Sequence, residues 1–315
     1  MKKIISNSWI FLLLAFVAYN FIACDVVDDP YPAKDPVIET PTDTTTTDTT
    51  AVVTIQDKLD SIETAHGIPA PVKKVLLEDY TGHTCGNCPR AAEIATSLKK
   101  QNPRLVVMAV HVGYFAKTKN DGTGKYAYDF TTNAGNQFDS FYKIDQLGLP
   151  QGMVNRVKQS GASSAAISHG AWSTAVAAEF AKAPVFNLTI TNVYDAATRK
   201  VNLKVRSEAL TALQGDYRLG VYVVEDSIVN WQKDYSKSPA DIEFYMHRHA
   251  LRTDVNGAWG ESVVQNPAAG EVASKYYDVT LHPSWKPKNC SLIAFVYKES
   301  TKEILQAEEH HLQID

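Results

Sequence analysis

Cys85 and Cys88 stand where an apolar run gives way to a helix-forming one, and that placement narrows the fold. Lys74-Val-Leu-Leu-Glu-Asp79 reads as a buried strand and Tyr80-Thr-Gly-His-Thr84 as a loop. Cys88 to Lys100 reads as a helix. Pro89 sits in its first turn, where a missing N–H costs nothing, Ile94 and Leu98 share a face, and Asn102-Pro103 ends it. Leu105 to Val112 is a second buried strand. Strand, loop, helix and strand in this order imply a parallel pair with a right-handed crossover. The two cysteines then lie at a helix N-terminus, whose free N–H groups and partial positive charge favour a thiolate. Cys85 is the candidate nucleophile, its pKa expected below the free value of about 8.5, and Cys88 the resolving partner.

A C-x-x-C beside a β-α-β pattern resembles the thioredoxins. In that family a buried acid lies six residues before the first cysteine, and here that position is Asp79. The family also has a proline with a cis peptide bond facing the dithiol. Pro150, in Gly148-Leu-Pro-Gln-Gly152 ahead of a short strand, matches it. The resemblance implies a catalytic set of Cys85, Cys88, Asp79 and Pro150. Three features depart from it: Thr84 replaces the usual Trp, the inner pair is Gly86-Asn87, and residues 113–140 read as an insertion. The residues alone leave three readings of the pair open. It could exchange disulfides, be an inert Cys85–Cys88 disulfide, or bind metal with His83 or His111. A single C-x-x-C is weak for zinc, which wants four ligands, so no metal and no cofactor is expected. Cys290, in Cys290-Ser-Leu-Ile-Ala-Phe-Val-Tyr297, reads as a core residue.

Ser168 to Lys182 reads as a helix with Trp172, Val176 and Phe180 on one face, and Ala183-Pro184 marks a boundary. Beyond it the period becomes two. Strands are expected at 186–194, 201–206, 217–224, 276–281, 291–297 and 303–307, which suggests a β-sandwich of roughly 130 residues. In Tyr245-Met-His-Arg-His-Ala-Leu-Arg252 a continuous strand would put His247 and His249 on one face, as a metal pair needs. Packing by hydrogen bonds is the plainer reading.

The N-terminus carries an address. Lys2 and Lys3 precede an uncharged apolar run, somewhat short for a spanning helix, that ends in Phe21-Ile-Ala-Cys24. This resembles a bacterial lipobox, with Phe21 in place of the usual Leu, so residues 1–23 are expected to be a signal peptide and Cys24 the lipidated residue. Residues 24–55 hold seven acids and one base, Lys34, with Pro30, Pro32, Pro36, Pro41 and a Thr-rich run. Such a composition cannot bury a core and reads as a disordered tether. Thr44 and Thr49 sit in short matches to an O-glycosylation acceptor. Asp25, Asp28 and Asp29 resemble a surface-export signal. The net charge of -4 gives no reason to expect nucleic acid as partner.

Four stretches together resemble the outer-membrane protein 28-related lipoproteins of Gram-negative anaerobes: Glu78 to Pro89, Gly148 to Arg156, Tyr245 to Arg252 and Ala294-Phe-Val-Tyr297. The resemblance implies a thioredoxin-like part followed by a β-rich part and no settled activity; with the strand pattern, the expected fold class is α/β plus β, a thioredoxin-like domain over 56–183 and then an immunoglobulin-like β-sandwich over 184–315. The implied location is the outer membrane, held by lipid on Cys24, and the acidic cluster after Cys24 adds the expectation that the protein faces the cell surface. Two functions compete. One is a cell-envelope thiol-disulfide oxidoreductase acting on envelope proteins. The other is a non-enzymatic scaffold for surface partners, with Cys85–Cys88 as a structural disulfide. Cys24→Ala is expected to remove the protein from the fatty-acid-labelled fraction in its native host. Label retained by the variant would exclude lipidation at Cys24.

Overall fold

Alternation along the strands decides how this chain is layered. In the computed structural model, which describes residues 53–314, odd and even residues of each central strand enter different cores. The expected signal peptide, Cys24, most of the expected tether, Thr44 and Thr49 lie outside the described residues.

The elements run as follows: α1 Ile55–His66, β1 Val75–Thr81, α2 Cys88–Gln101, β2 Leu105–His111, α3 Gly113–Ala116, α4 Asn133–Tyr142, β3 Gln151–Val154, α5 Trp172–Phe180, β4 Phe186–Asp195, β5 Lys200–Ala209 and β6 Asp216–Glu225. They continue with β7 Ile228–Lys233, β8 Asp241–His247, β9 Ala250–Asp254, β10 Glu261–Gln265, β11 Val272–Thr280, β12 Cys290–Lys298 and β13 Ile304–His311. No described helix is long and apolar enough to cross a membrane.

β1 and β2 pair in parallel, and β3 pairs antiparallel to β1 with Tyr80 opposite Gln151. Pro150 therefore lies at the end of the sheet from which the dithiol loop leaves, and the Leu149–Pro150 bond is cis. α2 and α5 cover one face of this part through Val75, Leu77, Leu105, Val107, Ala91, Ala95, Trp172 and Val176.

The sheet does not stop at Pro184. Its order is β13-β12-β6-β9-β2-β1-β3, with β10 on β6. β9 is the joint. It meets β2 in parallel at Ala109 and Ala250, Ala109 N–H donates to His249 O at 2.8 Å, and its other edge pairs with β6. A second sheet, β11-β5-β4, packs on the β6–β12 end through Leu188, Ile190, Leu203, Val205, Val221, Val223, Leu292 and Ala294. Tyr222, Val224, Ile293 and Phe295 point the other way, into a core that continues to Leu76, Val106 and Met108. The fold is mixed α/β and mostly strand, and the larger of the two sheets that share this core runs on into the dithiol part.

Two devices lock this arrangement. α1 starts at a capping box between Thr54 and Asp57 and lies against the β-rich part, where Lys204 pairs with Asp60 at 2.8 Å and Glu63 at 2.6 Å. The second is buried. Glu78 points into the shared core and accepts two hydrogen bonds from Arg156, at 2.9 and 2.7 Å. Asn155 and Arg156 both have positive φ just after β3, and that turn sends Arg156 back under the sheet. Asn155 anchors the turn: its Oδ1 accepts from Leu76 N–H, its Nδ2 donates to Glu179, and its carbonyl accepts from Ile304 N–H. The guanidinium lies 4.7–5.9 Å from the ring centres of Phe138, Trp259, Tyr142, Phe295 and Tyr297.

Removing one partner leaves a buried, uncompensated charge, at a cost of about 3–5 kcal/mol. Arg156→Met is expected to lower unfolding stability by that amount in a urea titration. Adding Glu78→Leu to it should restore much of the loss, and additive losses would show that the two side chains do not act as a pair.

Candidate functional site

The dithiol loop leaves β1 after Thr81 and re-enters helix at Cys88. Asn87 occupies the N-cap position without a side-chain capping bond, and Pro89 follows in the first turn. Cys85 and Cys88 form a disulfide. Both are buried, 2% and 1% exposed.

A hairpin covers them. β7 and β8 form a two-stranded sheet of their own, and β7 with the residues after it lies along the loop. Lys233 N–H donates to His83 O at 2.8 Å and Tyr235 N–H to Gly86 O at 2.9 Å. The Gln232 amide, buried, donates to Cys85 O at 3.0 Å and Gly82 O at 3.3 Å. The Tyr235 ring lies so close over Gly86 that a Cβ there would fall 2.5 Å from it, which is why the inner pair starts with glycine. Asp241 of β8 clamps the hairpin, accepting from Lys233 Nζ at 2.5 Å and Tyr126 OH at 2.7 Å.

Behind the disulfide is a cavity of roughly 440 Å³, walled by α2 on one side and Gln232 and residues 245–249 on the other. Cys88, Asp79 and His111 line it. Asp79 is buried and its Oδ1 has no hydrogen-bond partner. Burial alone pushes its pKa up to about 7. His111 is buried with both ring nitrogens unpartnered, and burial first, then neighbouring His247, holds it well below the ordinary histidine value. Its ring stacks on Phe130 at 4.5 Å, and Phe130 meets His247 at 4.4 Å. His247 is lowered to about 4, again by burial. These imidazoles are neutral at pH 7 and are packed among aromatic rings from the 113–140 segment.

Of the residues singled out in the sequence, Cys85, Cys88 and Asp79 converge around this cavity and loop, and Pro150 borders the same end of the sheet. His247 and His249 do not form a pair. His249 has φ 51, which breaks the strand between β8 and β9, and its Nδ1 lies 3.1 Å from Asp226 Oδ2. Among the described residues no group of three His, Cys, Asp or Glu side chains is arranged to hold a metal ion. Cys290 is a core residue, its thiol pushed up to about 12 by burial. Sequence reasoning missed Gln232, Tyr235 and Asp241, whose roles depend on where a distant hairpin lands.

The family model of the outer membrane protein Omp28 matches residues 135–314, more than half of the chain. The chain belongs to the Omp28 family. That membership places it at the outer membrane. Among solved structures, HBP35 of Porphyromonas gingivalis is similar with a TM-score of 0.56 and 19% identity, over 77% of this chain and 76% of that one. At that identity the likeness concerns the fold. A domain of the outer membrane lipoprotein Omp28 from the same organism aligns over 42% of this chain and 91% of its own, with 21% identity and a TM-score of 0.30. No curated protein matches the chain. The Omp28 match takes in the Pro150 loop, Arg156, the covering hairpin and the β9 joint, and begins after the dithiol loop.

The unpartnered carboxyl of Asp79 has a signature in stability. Its folded pKa lies above its unfolded value, so the folded chain holds this proton more tightly. The contribution of this group is then most favourable below about pH 4 and falls by about 1.4 kcal/mol per pH unit until the folded group itself ionises near pH 7. Asp79→Asn is expected to match the parent near pH 4 and to exceed it by a few kcal/mol at pH 8 in denaturant titrations. A difference independent of pH would show that Asp79 is not a buried, unpaired acid.

Proposed function

We propose that this Omp28-family protein is a lipid-anchored outer-membrane scaffold in which Cys85–Cys88 is a protected structural disulfide. The observation that carries this reading is the covering of the pair by the β7–β8 hairpin. Thiol-disulfide exchange needs a partner sulfur to reach Cys85, which is 2% exposed and whose loop backbone is bonded to Gln232, Lys233 and Tyr235. In this reading the mature chain starts at Cys24. Residues 24–55 space the body from the membrane, and the acidic residues after Cys24 direct it to the cell surface. The part from 56 to 183 is thioredoxin-like: its strand order, the dithiol at the start of α2 and the cis proline support that assignment. The part from 184 onward supplies the sandwich, which serves as the contact surface for partners.

A second reading is favoured by one observation, the unpartnered Asp79 beside Cys88. A structural disulfide has no use for a proton acceptor beneath it. In an exchange reaction a thiol donor would first reduce the pair; the Cys85 thiolate would then attack a partner disulfide and release one partner thiolate, and Cys88 would attack the Cys85 sulfur, releasing the other and re-forming Cys85–Cys88. Asp79 would take and return the proton, and Pro150 would present backbone to the partner chain.

Equilibration of the purified chain with glutathione buffers, followed by alkylation and mass analysis, separates the two. A protected structural disulfide stays oxidised at the cytosolic glutathione poise, its own potential lying below about -300 mV. Full reduction at that poise within minutes would overturn the scaffold reading in favour of exchange.

A further inference from the structure

The cavity behind the disulfide exists because small side chains meet where the sheet changes partner. β9 reaches β2 only at Ala109 and Ala250. Ala92 and Ala95 of α2 and Ala109 of β2 leave the space between α2 and residues 245–249 unfilled. Its volume of roughly 440 Å³ lies in the range of small-molecule sites. Exposed Glu93, Thr96, Lys100, Met246 and Arg248 also line it, so it opens to solvent with the hairpin in place.

The floor of the cavity is polar, and its polar groups are unused. Alternation puts Asp79 of β1 and His111 of β2 on the sheet face that α2 covers, where Leu77 and Val107 precede them. Asp79 and His111 are each 3% exposed. Asp79 Oδ1 has no hydrogen-bond partner, and neither ring nitrogen of His111 has one. Buried polar atoms without partners are uncommon in folded proteins. Among the described residues no Lys or Arg pairs with the Asp79 carboxyl, and burial alone accounts for its raised pKa. The charges at the mouth are Glu93 and Lys100 from α2 and Arg248, which lies 3.9 Å from Asp226 Oδ1. Tyr245, His247 and His249 complete the facing wall. Burial raises the Tyr245 phenol to about 12 and lowers His247 to about 4.

We propose that this cavity binds a small organic cation, a planar amidinium or guanidinium on a flat apolar body, with Asp79 as its counter-ion and His111 as a second hydrogen-bond partner. A planar cation of this kind donates two parallel N–H bonds to a carboxylate, and it gives up its hydration more easily than an ammonium. It does for Asp79 what Arg156 does for Glu78 one residue earlier. The neutral His111 imidazole keeps one nitrogen with a free lone pair, which accepts a further N–H. Pro89, Ala92, Ala95 and Val107 give the rest of the ligand apolar contact. The inference goes beyond the scaffold reading, because it assigns the cavity a ligand class whether or not the pair ever exchanges.

The test is calorimetric titration of the full chain with benzamidine at pH 6 and pH 8, with benzamide and N-acetylarginine amide as comparison ligands. A carboxyl with a pKa of about 7 is about one-tenth ionised at pH 6 and about nine-tenths at pH 8, so benzamidine should bind about tenfold more tightly at pH 8. Benzamide has the same shape without the charge and should bind at least about tenfold more weakly at pH 8. N-acetylarginine amide has a planar cation without the flat apolar body and should also bind at least about tenfold more weakly. Asp79→Asn should remove the pH dependence and most of the binding. Ala92→Phe, which fills the space from a half-buried position on α2, should block binding at both pH values while keeping the circular dichroism of the parent. If Asp79→Asn fails to fold, the pH dependence of the parent and Ala92→Phe carry the test. The proposal is overturned if the parent shows no saturable benzamidine binding, binds benzamide equally well or binds benzamidine equally at the two pH values. Unchanged binding by a folded variant also overturns it. Tighter binding of N-acetylarginine amide would overturn the small-molecule assignment in favour of an arginine side chain of a partner. Neither outcome of the glutathione equilibration alters these results, so the two readings fail separately.

Discussion

Glu78 and Arg156 are joined inside a core that both parts of the chain share, and the packing around them follows from that. A guanidinium and a carboxylate taken out of water are costly, and their attraction offsets the cost only with good geometry. Here the geometry is bidentate, and five aromatic rings surround the cation. The rings come from α4, the segment before β10, and β12. Any arrangement that shifts β3 along β1 separates the charges, and any arrangement that lifts β12 off the sheet removes two rings. The pair therefore contributes less to total stability than to the choice of one packing over others.

The same logic explains the shared sheet. β9 reaches β2 over very few residues, yet its other edge is paired with β6, so the joint is strengthened from the β-rich side. Lys74 with Glu308, and Lys99 with Glu309, add charge pairs between the dithiol part and β13. Gln306 bonds to the backbone of Val72 and Lys74. The hairpin that covers the dithiol is delivered by this joint. β8 runs directly into β9, so the position of the cover over Cys85 is set by strand pairing in the main sheet.

What could be read from the sequence follows the range of the forces involved. β1, α2 and β2 were legible almost to the residue, because continuous apolar runs, a first-turn proline and Asn102-Pro103 are local signals. Asp79, Cys85 and Cys88 were legible because a strand-to-helix turn places them together without help from elsewhere. α1 was hidden: it buries only Leu59 among its apolar residues, so it shows little stripe, and its one clear signal was the Thr54–Asp57 capping box. For His247 and His249 the plainer reading of packing by hydrogen bonds fits, and the shared face that a continuous strand would give is lost because His249 lies in the left-handed region. The shared sheet and the cover were not legible, since pairing between β9 and β2, or between Tyr235 and Gly86, leaves no mark in either local pattern.

Glu78 and Asp79 show how one step along a strand divides two tasks. Alternation sends Glu78 to the shared core, where Arg156 neutralises it, and sends Asp79 to the other face, toward the cavity and Cys88. Both are buried carboxyls, so burial alone does not distinguish them. A partner does. Glu78 with its cation is structural chemistry and is tied to packing at every pH where both are charged. Asp79 without one opposes folding once it ionises, and nothing among its neighbours offsets that cost. Such a carboxyl lies beside a disulfide at a helix N-terminus, in the cavity that Gln232 and His247 of the covering hairpin also line. The two carboxyls thus respond to pH in different ways: the pairing with Arg156 ties Glu78 to packing, while ionisation of Asp79 works against the fold.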